Sequence, residues 1–223
     1  MLYEIFDHMH LSSDEAVREM LPLVSEQRRQ QALRYQHTFG QFCCLKSYLM
    51  LLELLAAVYP ELDKAKPEFG YTEKGKPFLL ARPDIHFSIS HTKNAILVAI
   101  ADAPIGVDIE AFRSPSAALI ARTMNPTEQA AIAASAATAA SAASAATLEP
   151  SGTPQASGTP EALFSAIWTR KEAVLKLRGT GIEGDLREVL SGSETILTRI
   201  FPRKGYAFSI AQQAISPFES FPC

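Results

Sequence analysis

Two acidic residues, Asp108 and Glu110, interrupt an apolar stretch in which Val107 and Ile109 are their neighbours. In a β-strand, residues two positions apart point to the same face, so both carboxylates would project together. Like charges repel, and partial burial makes the repulsion costlier, unless a metal ion or cationic side chains lie between them. A strand with one solvated face would explain the same alternation equally well.

The segment 161–178 is predicted to form a helix that carries candidate partners for these carboxylates. On a helical wheel, Lys171 falls inside the apolar arc, where a lysine either extends its head group to the surface or meets an anion at a cleft. Glu172 and Lys176 share the neighbouring flank, one turn apart. In isolation, such a pair would be an ordinary surface ion pair that contributes little to stability.

Taken together, these residues indicate phosphate chemistry assisted by a divalent cation. The acidic members are Asp108, Glu110 and Glu172, and the cationic or hydrogen-bonding members are Lys171, Lys176 and His91. Mg²⁺ prefers oxygen ligands and completes its coordination shell with water and substrate phosphates, so this set suits a diphosphate substrate. The sequence has no Walker loop, no dinucleotide-binding glycine pattern and no Gly-x-Ser-x-Gly nucleophile motif.

Composition indicates a globular chain of one domain or two small ones, because 47% of its 223 residues are hydrophobic. A formal net charge of -3 gives no general reason to expect nucleic acid or an anionic membrane as partner. Three cysteines without framework or metal spacing, and no secretion-like start, favour the cytoplasm. The apolar stretch 48–59 contains Glu53, is too short to span a bilayer, and is predicted to be a core helix.

Hydrophobic periodicity places helices and strands in two halves of similar make-up, which indicates an α+β architecture. Strands are predicted at 1–7, 85–90, 95–101, 105–110 and 207–211, and helices from 12 to 21, 26 to 35, 39 to 59, 117 to 122 and 161 to 178. We divide the chain into an N-terminal half, 1–102, and a C-terminal half, 103–223. The Ala/Ser/Thr/Gly/Pro-rich segment 129–160 is predicted to be a surface insertion, partly helical at best, because its three-residue repeat offers no apolar stripe.

Three short motifs resemble the signature motifs of the 4'-phosphopantetheinyl transferase superfamily, Sfp type. They are FSISH at 87–91, GVDIE at 106–110 and WTRKEAVLK at 168–176, with GKP at 75–77 just upstream. Any one of them is a weak signal, but three in order with suitable spacing form a specific one. The resemblance covers roughly residues 70–180.

The resemblance implies an α+β monomer of two pseudo-symmetric halves, each a small sheet packed with helices, with coenzyme A and Mg²⁺ in the cleft between them. It also implies a holo-[acyl-carrier-protein] synthase type reaction. The 4'-phosphopantetheine arm of coenzyme A moves to a serine of an acyl or peptidyl carrier protein, and 3',5'-ADP is released. The sequence does not show whether that carrier serves fatty acid, polyketide or nonribosomal peptide biosynthesis. Neither nucleic acid nor a membrane is an expected partner.

The resemblance also assigns roles to single residues. The magnesium set is Asp108, Glu110 and Glu172; the coenzyme A contacts are Lys76, Ser90 and His91; the phosphate-binding lysines are Lys171 and Lys176; and the candidates for the 3'-phosphate are Arg28, Arg29 and Lys46. Catalysis would rest on Glu172, Lys176 and Asp108. Glu172 is either a metal ligand or the general base for the carrier serine, and the sequence leaves both roles open.

Some positions depart from the family pattern, and two other functions stay open. Ser88 stands where many relatives carry Asn, and Glu128 resembles the family's acidic position after the metal strand. The segment 129–160 adjoins the region where relatives bind or shape the carrier surface, so carrier choice is a point of difference. The alternatives are a magnesium-dependent coenzyme A pyrophosphohydrolase and a non-catalytic coenzyme A binding module. Retention of all three carboxylates and both lysines argues against the latter.

Overall fold

The computed structural model describes residues 1–62, 66–146, 158–181 and 184–214, which form an α+β protein. The helices are α1 (Asp14–Met20), α2 (Glu26–Leu33), α3 (Thr38–Val58), α4 (Ala117–Thr123), α5 (Pro126–Ala146) and α6 (Pro160–Arg178). The strands are β1 (Leu2–Phe6), β2 (Phe69–Tyr71), β3 (Pro77–Leu79), β4 (His86–His91), β5 (Ile96–Ala101), β6 (Ile105–Ala111), β7 (Thr195–Phe201) and β8 (Tyr206–Gln212). Small sheets packed against helices confirm the predicted fold class.

The first half of the chain forms an antiparallel sheet of order β1-β5-β4, which packs against α3. Ile96, Val98 and Ile100 of β5 share one core with Leu45 and Leu51 of α3. By length and composition, α3 could cross a membrane, but 56% of its most apolar window is buried inside the protein. Because its apolar side chains fill this core, α3 is a core helix, as the sequence predicts.

The second half forms a matching antiparallel sheet of order β6-β8-β7, against which α6 packs. The Thr159 side chain accepts a hydrogen bond from the backbone N–H of Ala162, 3.3 Å away, and so caps the start of α6. Pro160 follows in the first turn, and Gly179 ends the helix with a left-handed φ of 68°. These signals explain why the predicted and observed bounds of α6 agree closely.

The two sheets share a core, so the halves are packed directly against each other. One face of β5 and the residue before it carry Ala95, Leu97, Ala99 and Ala101, and these pack in a single cluster with Val107 and Ile109 of β6 and Phe208 and Ile210 of β8. Since its other face packs on α3, β5 is buried on both sides. This shared apolar core therefore holds the two halves together.

Side-chain hydroxyls join β4 to β6 where the two sheets meet. The backbone N–H groups of Val107, Ile109 and Ala111 donate to Ser88 Oγ at 3.0 Å, Ser90 Oγ at 3.4 Å and Thr92 Oγ1 at 3.2 Å. We call Ser88, Ser90 and Thr92 the hydroxyl ladder. The hydroxyl ladder supplies hydrogen-bond acceptors for these three N–H groups of β6. The backbone of β4 does not supply them, because β4 and β6 belong to different sheets.

The first part of the Ala-rich segment is helical. The segment is predicted to be partly helical at best, and α5 forms a continuous helix from Pro126 to Ala146. Asn125 and Glu128 cap its start reciprocally, with side-chain to backbone hydrogen bonds of 2.8 and 2.9 Å, and Ile132 is buried. Alanine's high helix propensity extends the helix beyond the part that packs. The remainder of that segment, 147–157, lies outside the described residues.

Candidate active site between the halves

The carboxylates of β6 face α6 because the strand alternates. Val107 and Ile109 enter the core between the sheets, so Asp108 and Glu110 project to the opposite face. Gly106 lets the helix come close: a Cβ at this position would lie 2.0 Å from the carbonyl oxygen of Ala173. The approach of α6 brings Glu172 and Lys176, which flank Ala173 on that helix, beside the two strand carboxylates.

Asp108 lies at the centre of a hydrogen-bonded triad. Its carboxylate is buried, and Oδ1 accepts from Lys176 Nζ at 2.7 Å and from Ser90 Oγ at 2.8 Å. Lys176 Nζ also donates to Ser90 Oγ at 2.9 Å. Three elements, β4, β6 and α6, thus contribute one side chain each, so the site depends on how the halves are joined.

Glu110 and Glu172 share this space with Asp108. Burial raises the pKa of Glu110, and the nearby Asp108 carboxylate raises it further. Burial also raises the pKa of Glu172, and Asp108 and Glu110 add to that rise while Lys176 opposes it. Because burial is the largest cause of both shifts, this face is not the freely solvated surface that the alternation alone allows.

This donor set suits a hard divalent cation in its chemistry. Among the described residues, however, no three Asp, Glu, His or Cys side chains lie close enough together to hold a metal ion as they stand. Lys176 instead supplies positive charge to Asp108. Burial, followed by repulsion from Asp108, raises the pKa of Glu110 and of Glu172, so their ionised forms are disfavoured here and a bound cation would favour them.

A cavity of about 260 Å³ opens beside the triad, between the β2–β3 hairpin, β4 and α6. Its lining combines cations and an acid with apolar residues: Lys74, Lys76, Lys176, Glu172, Pro77, Phe87 and Leu175 belong to it. Of the three carboxylates, Glu172 alone is in this lining. Cationic groups beside an apolar wall would suit a ligand that joins phosphates to a less polar portion.

Known proteins resemble this chain over most of its length. The family model of the 4'-phosphopantetheinyl transferase superfamily matches residues 104–210, which contain β6, α6 and β8. A 4'-phosphopantetheinyl transferase of Bacillus subtilis is 28% identical over 181 residues, which cover 81% of this chain and 71% of that relative. The transferase Sfp of Bacillus subtilis strain 168 is 26% identical with the same coverage, and the transferase ffp of Bacillus subtilis is 30% identical over 57% of this chain and 56% of its own.

The chain is similar to members of the 4'-phosphopantetheinyl transferase superfamily. The predicted resemblance, of the Sfp type, is thereby confirmed. The three motifs that carry it lie on β4, β6 and α6, the elements that form the triad.

Lys76 of the GKP motif lies in the cavity wall, and its ammonium group is engaged by the protein itself. Lys76 Nζ donates to the backbone carbonyls of Leu177 at 3.0 Å and Ile105 at 3.4 Å. It thereby ties the β2–β3 hairpin to the end of α6 and the start of β6. Burial lowers the pKa of Lys76.

His91 ends β4 near the triad. Although part of its surface reaches solvent, burial of the ring lowers the pKa of His91, and the charge of Lys176 lowers it further. The imidazole is therefore neutral at pH 7, and either ring nitrogen can accept or donate a hydrogen bond according to its tautomer.

Lys171 requires a correction. It was expected to contact phosphate, but it is only 1% exposed, and its Nζ binds Glu128 Oε2 at 2.7 Å and the carbonyl of Leu186 at 2.9 Å. The wheel correctly placed Lys171 on the buried arc, and its anion comes from the start of α5. The residue thus fastens α6 to α5, and so does Glu128, whose role the sequence left open.

The N-terminal basic residues also lie away from the cavity lining. Arg28 is 7% exposed, with its guanidinium 5.1 Å from the Tyr48 ring centroid and 4.5 Å from that of Phe69. Lys46 lies over the ring of Phe6, 4.9 Å from its centroid. Each cation packs on aromatic faces in this structure, and the binding of a 3'-phosphate by Arg28 and Lys46 stays a prediction.

Arg29, the third N-terminal candidate, is engaged on the surface of α2. Its guanidinium pairs with Glu26 at 3.0 Å and donates to the carbonyl of Leu21 at 3.2 Å. It is not among the residues that line the cavity. Arg29 therefore holds α2 to the preceding turn in this structure.

Sequence reasoning missed two contributors to the site. Arg113 pairs with Glu110 at 3.6 Å and lies 5.7 Å from the Trp168 ring centroid, so it places a positive charge at the outer edge of the acidic face. Ser88, a departure from the family pattern, accepts the N–H of Val107. Hydroxyls alternate at 88 and 90 of β4 and at 92 just after it, and this alternation is the signal in the sequence.

Proposed function

We propose that the protein transfers the 4'-phosphopantetheine arm of coenzyme A to a serine hydroxyl of an acyl or peptidyl carrier protein and releases 3',5'-ADP. The observation that carries this proposal is the triad of Asp108, Lys176 and Ser90 beside the cation-lined cavity, with Glu172 at the boundary between them. The named activity of the related transferases supports the same reaction.

In this reaction, the serine oxygen attacks the phosphorus that bears the pantetheine arm, and the bond between that phosphorus and the bridging oxygen of the diphosphate breaks. The serine proton must leave, and the departing oxygen carries the released charge on 3',5'-ADP. Because phosphoryl transfer is accelerated mainly by positioning and charge neutralisation, the chain needs fixed cations and one proton acceptor near the diphosphate.

Lys176 and Glu172 meet those two needs. Lys176 lines the cavity and is held in place by Asp108, so its ammonium can neutralise a phosphate oxygen without prior reorganisation. Glu172 lines the same cavity one turn away and is placed to accept the serine proton. Asp108 lies outside the cavity lining and orients Lys176 through their hydrogen bond.

Asp108, Glu110 and Glu172 would hold Mg²⁺, which when bound would neutralise charge on the diphosphate. Service as a magnesium ligand is a second role for Glu172 and competes with proton acceptance. The charge balance at Glu110 and Glu172 supports a cation at this position.

Coenzyme A would enter the cavity with its diphosphate toward Lys176. Lys76 and Lys74 extend the cationic wall, and Phe87, Pro77 and Leu175 provide the apolar one. We propose His91 as a neutral hydrogen-bonding contact near this end. Action as a monomer, a cytoplasmic location and independence from nucleic acid and membranes remain part of the proposal.

The test is transfer to a purified apo acyl carrier protein in the presence of coenzyme A and Mg²⁺. Intact-mass spectrometry should show the carrier gaining one 4'-phosphopantetheine group, and chromatography should show one 3',5'-ADP per carrier modified. Release of free 4'-phosphopantetheine without carrier modification would identify a pyrophosphohydrolase instead. Binding of coenzyme A with neither product would identify the non-catalytic module.

Variants separate the two roles of Glu172. Glu172→Gln and Asp108→Asn are close to isosteric and should each abolish measurable transfer. Glu110→Gln is the matched comparison, since Glu110 is not in the cavity lining and has no proposed part in proton transfer. If Glu172 acts only as a ligand, raised Mg²⁺ should restore Glu172→Gln and Glu110→Gln alike; a base role leaves Glu172→Gln inactive at any Mg²⁺ concentration.

A further inference from the structure

Ser90 differs from the other members of the hydroxyl ladder. Ser88 and Thr92 each accept a backbone N–H of β6, and Ser90 does the same with Ile109. Only the Ser90 hydroxyl also joins the charged pair, since it donates to Asp108 Oδ1 at 2.8 Å and accepts from Lys176 Nζ at 2.9 Å. One hydroxyl thus contacts a backbone N–H, a carboxylate and an ammonium group at once.

These three contacts use the whole hydrogen-bonding capacity of the side chain. A serine hydroxyl has one proton to donate and two lone pairs that accept. Its proton goes to Asp108, and its lone pairs face Lys176 and the more distant N–H of Ile109, 3.4 Å away. A ligand phosphate could be bound by this hydroxyl only if the contact to Asp108 were broken.

Burial and position support the same conclusion. Ser90 is 7% exposed and is absent from the cavity lining, whereas Ser88, two residues earlier on the strand, belongs to it. The Ser90 hydroxyl therefore faces the seam between β4, β6 and α6. A direct contact with coenzyme A, which the family resemblance implies, does not fit this orientation.

We propose that Ser90 is a positioning residue that fixes the Lys176 ammonium and the Asp108 carboxylate relative to each other. This inference rests on the proposed transfer reaction. The serine belongs to the first half of the chain and the charged pair to the second. The alignment of β4 against β6 therefore determines where the hydroxyl holds the two charged groups. The other ladder members hold that register without touching the pair.

The test compares Ser90→Ala with Thr92→Ala and Ser90→Thr. Each alanine variant removes one ladder hydroxyl that accepts a backbone N–H of β6, so both should lower Tm to a similar extent. Ser90→Ala should lower kcat on the order of ten- to a hundredfold and leave KM for coenzyme A within about twofold, because it changes positioning rather than ground-state binding. Thr92→Ala, at a ladder position outside the cavity lining, should leave kcat nearly unchanged, and Ser90→Thr, which keeps the hydroxyl, should retain most of it.

A measurement without turnover completes the test. In ¹⁵N-lysine-labelled protein, the Lys176 ammonium signal, assigned by its absence in Lys176→Met, should shift in Ser90→Ala and stay in place in Thr92→Ala. Coenzyme A affinity by calorimetry should be equal in Ser90→Ala and the unsubstituted protein. A large loss of affinity with normal kcat would identify a ligand contact, and equal kcat losses in both alanine variants would show a purely structural ladder; either result overturns the inference.

Failure of the proposed function is distinguishable from failure of this inference. If the unsubstituted protein does not modify the carrier, the transfer reaction is wrong, and the ammonium signal still decides whether Ser90 positions Lys176. If transfer occurs while Ser90→Ala behaves like Thr92→Ala in both the signal and kcat, only the positioning role is wrong.

Discussion

Gly106 permits the contact between β6 and α6, and replacing it with alanine should disturb stability and activity together. A Cβ there would lie 2.0 Å from the carbonyl oxygen of Ala173 and 2.2 Å from the backbone nitrogen of Leu177. Both atoms belong to the helix backbone and cannot rotate away. Reaching even 3.0 Å requires the strand and helix to separate locally by about 1 Å.

The expected magnitude follows from that displacement. Overpacking a buried contact costs about 1–3 kcal/mol. For a chain of this size, each kcal/mol lowers Tm by about 2–4 °C, so Gly106→Ala should melt about 2–12 °C lower. The same shift would lengthen the 2.7 Å contact between Lys176 and Asp108, and misplacement by about 1 Å can reduce kcat on the order of a hundredfold.

Thermal melting by circular dichroism and carrier modification by intact-mass spectrometry measure the two effects. Gly158→Ala is the matched control, because a Cβ at Gly158 would meet nothing within 4 Å. The reasoning is refuted if Gly106→Ala melts with the control and modifies the carrier at the same rate. A fall in Tm without loss of rate would show that α6 moves without displacing Lys176.

Three further outcomes test other parts of the structure. Lys171→Met should lower the free energy of unfolding by about 3–5 kcal/mol in denaturant titrations, while KM for coenzyme A stays unchanged. Adding Glu128→Gln should restore part of the loss, because the Glu128 carboxylate is then no longer buried as an unpaired charge. A hydrogen bond from Lys204 lowers the pKa of Asp7, so this carboxylate stabilises the fold above its unfolded pKa and stabilises it less as pH falls through its folded pKa. The unsubstituted protein should therefore melt above Asp7→Asn by a margin that shrinks from pH 6 to pH 3. A margin that stays constant over this range would contradict the prediction. Burial, with a contribution from Cys44, raises the pKa of Cys43 to about 12, so iodoacetamide at pH 8 should leave Cys43 unlabelled in native protein and label it in denaturant, as read by peptide mass spectrometry.

Periodicity predicted the two elements that form the site. Alternation set the facing of Asp108 and Glu110, and the helical wheel placed Glu172 and Lys176 on one flank of α6. These properties depend on neighbours along the chain, which the sequence shows directly. The cap at Thr159 and the stop at Gly179 are equally local.

The partners of buried cations could not be predicted in the same way. The wheel shows that Lys171 is inside but not that its acid lies at the start of α5, because that depends on helix packing. Arg28 likewise looked like an available phosphate contact, and only the tertiary fold shows two aromatic rings around it. The hydroxyl ladder was equally unpredictable, because its donors and acceptors come from different sheets and the sequence does not show that β4 lies beside β6.

The repetitive segment shows a different limit. Its three-residue period carries no apolar stripe, and we weighed that absence above the intrinsic preference of alanine for helix. The structure has a capped start at Asn125 and one packed residue, Ile132, from which propensity suffices to continue α5. Local capping chemistry was the stronger guide there.

The continuous interior between the two sheets determines how this enzyme can be divided. If the chain were cut after Asp102, one fragment would expose the apolar face of β5 and the other would expose Val107, Ile109 and Phe208 to water. Each piece would then have one uncovered sheet face, so the two halves should fold as one unit. A split version for use as a reporter would assemble only when both fragments are present, and its activity would measure their association.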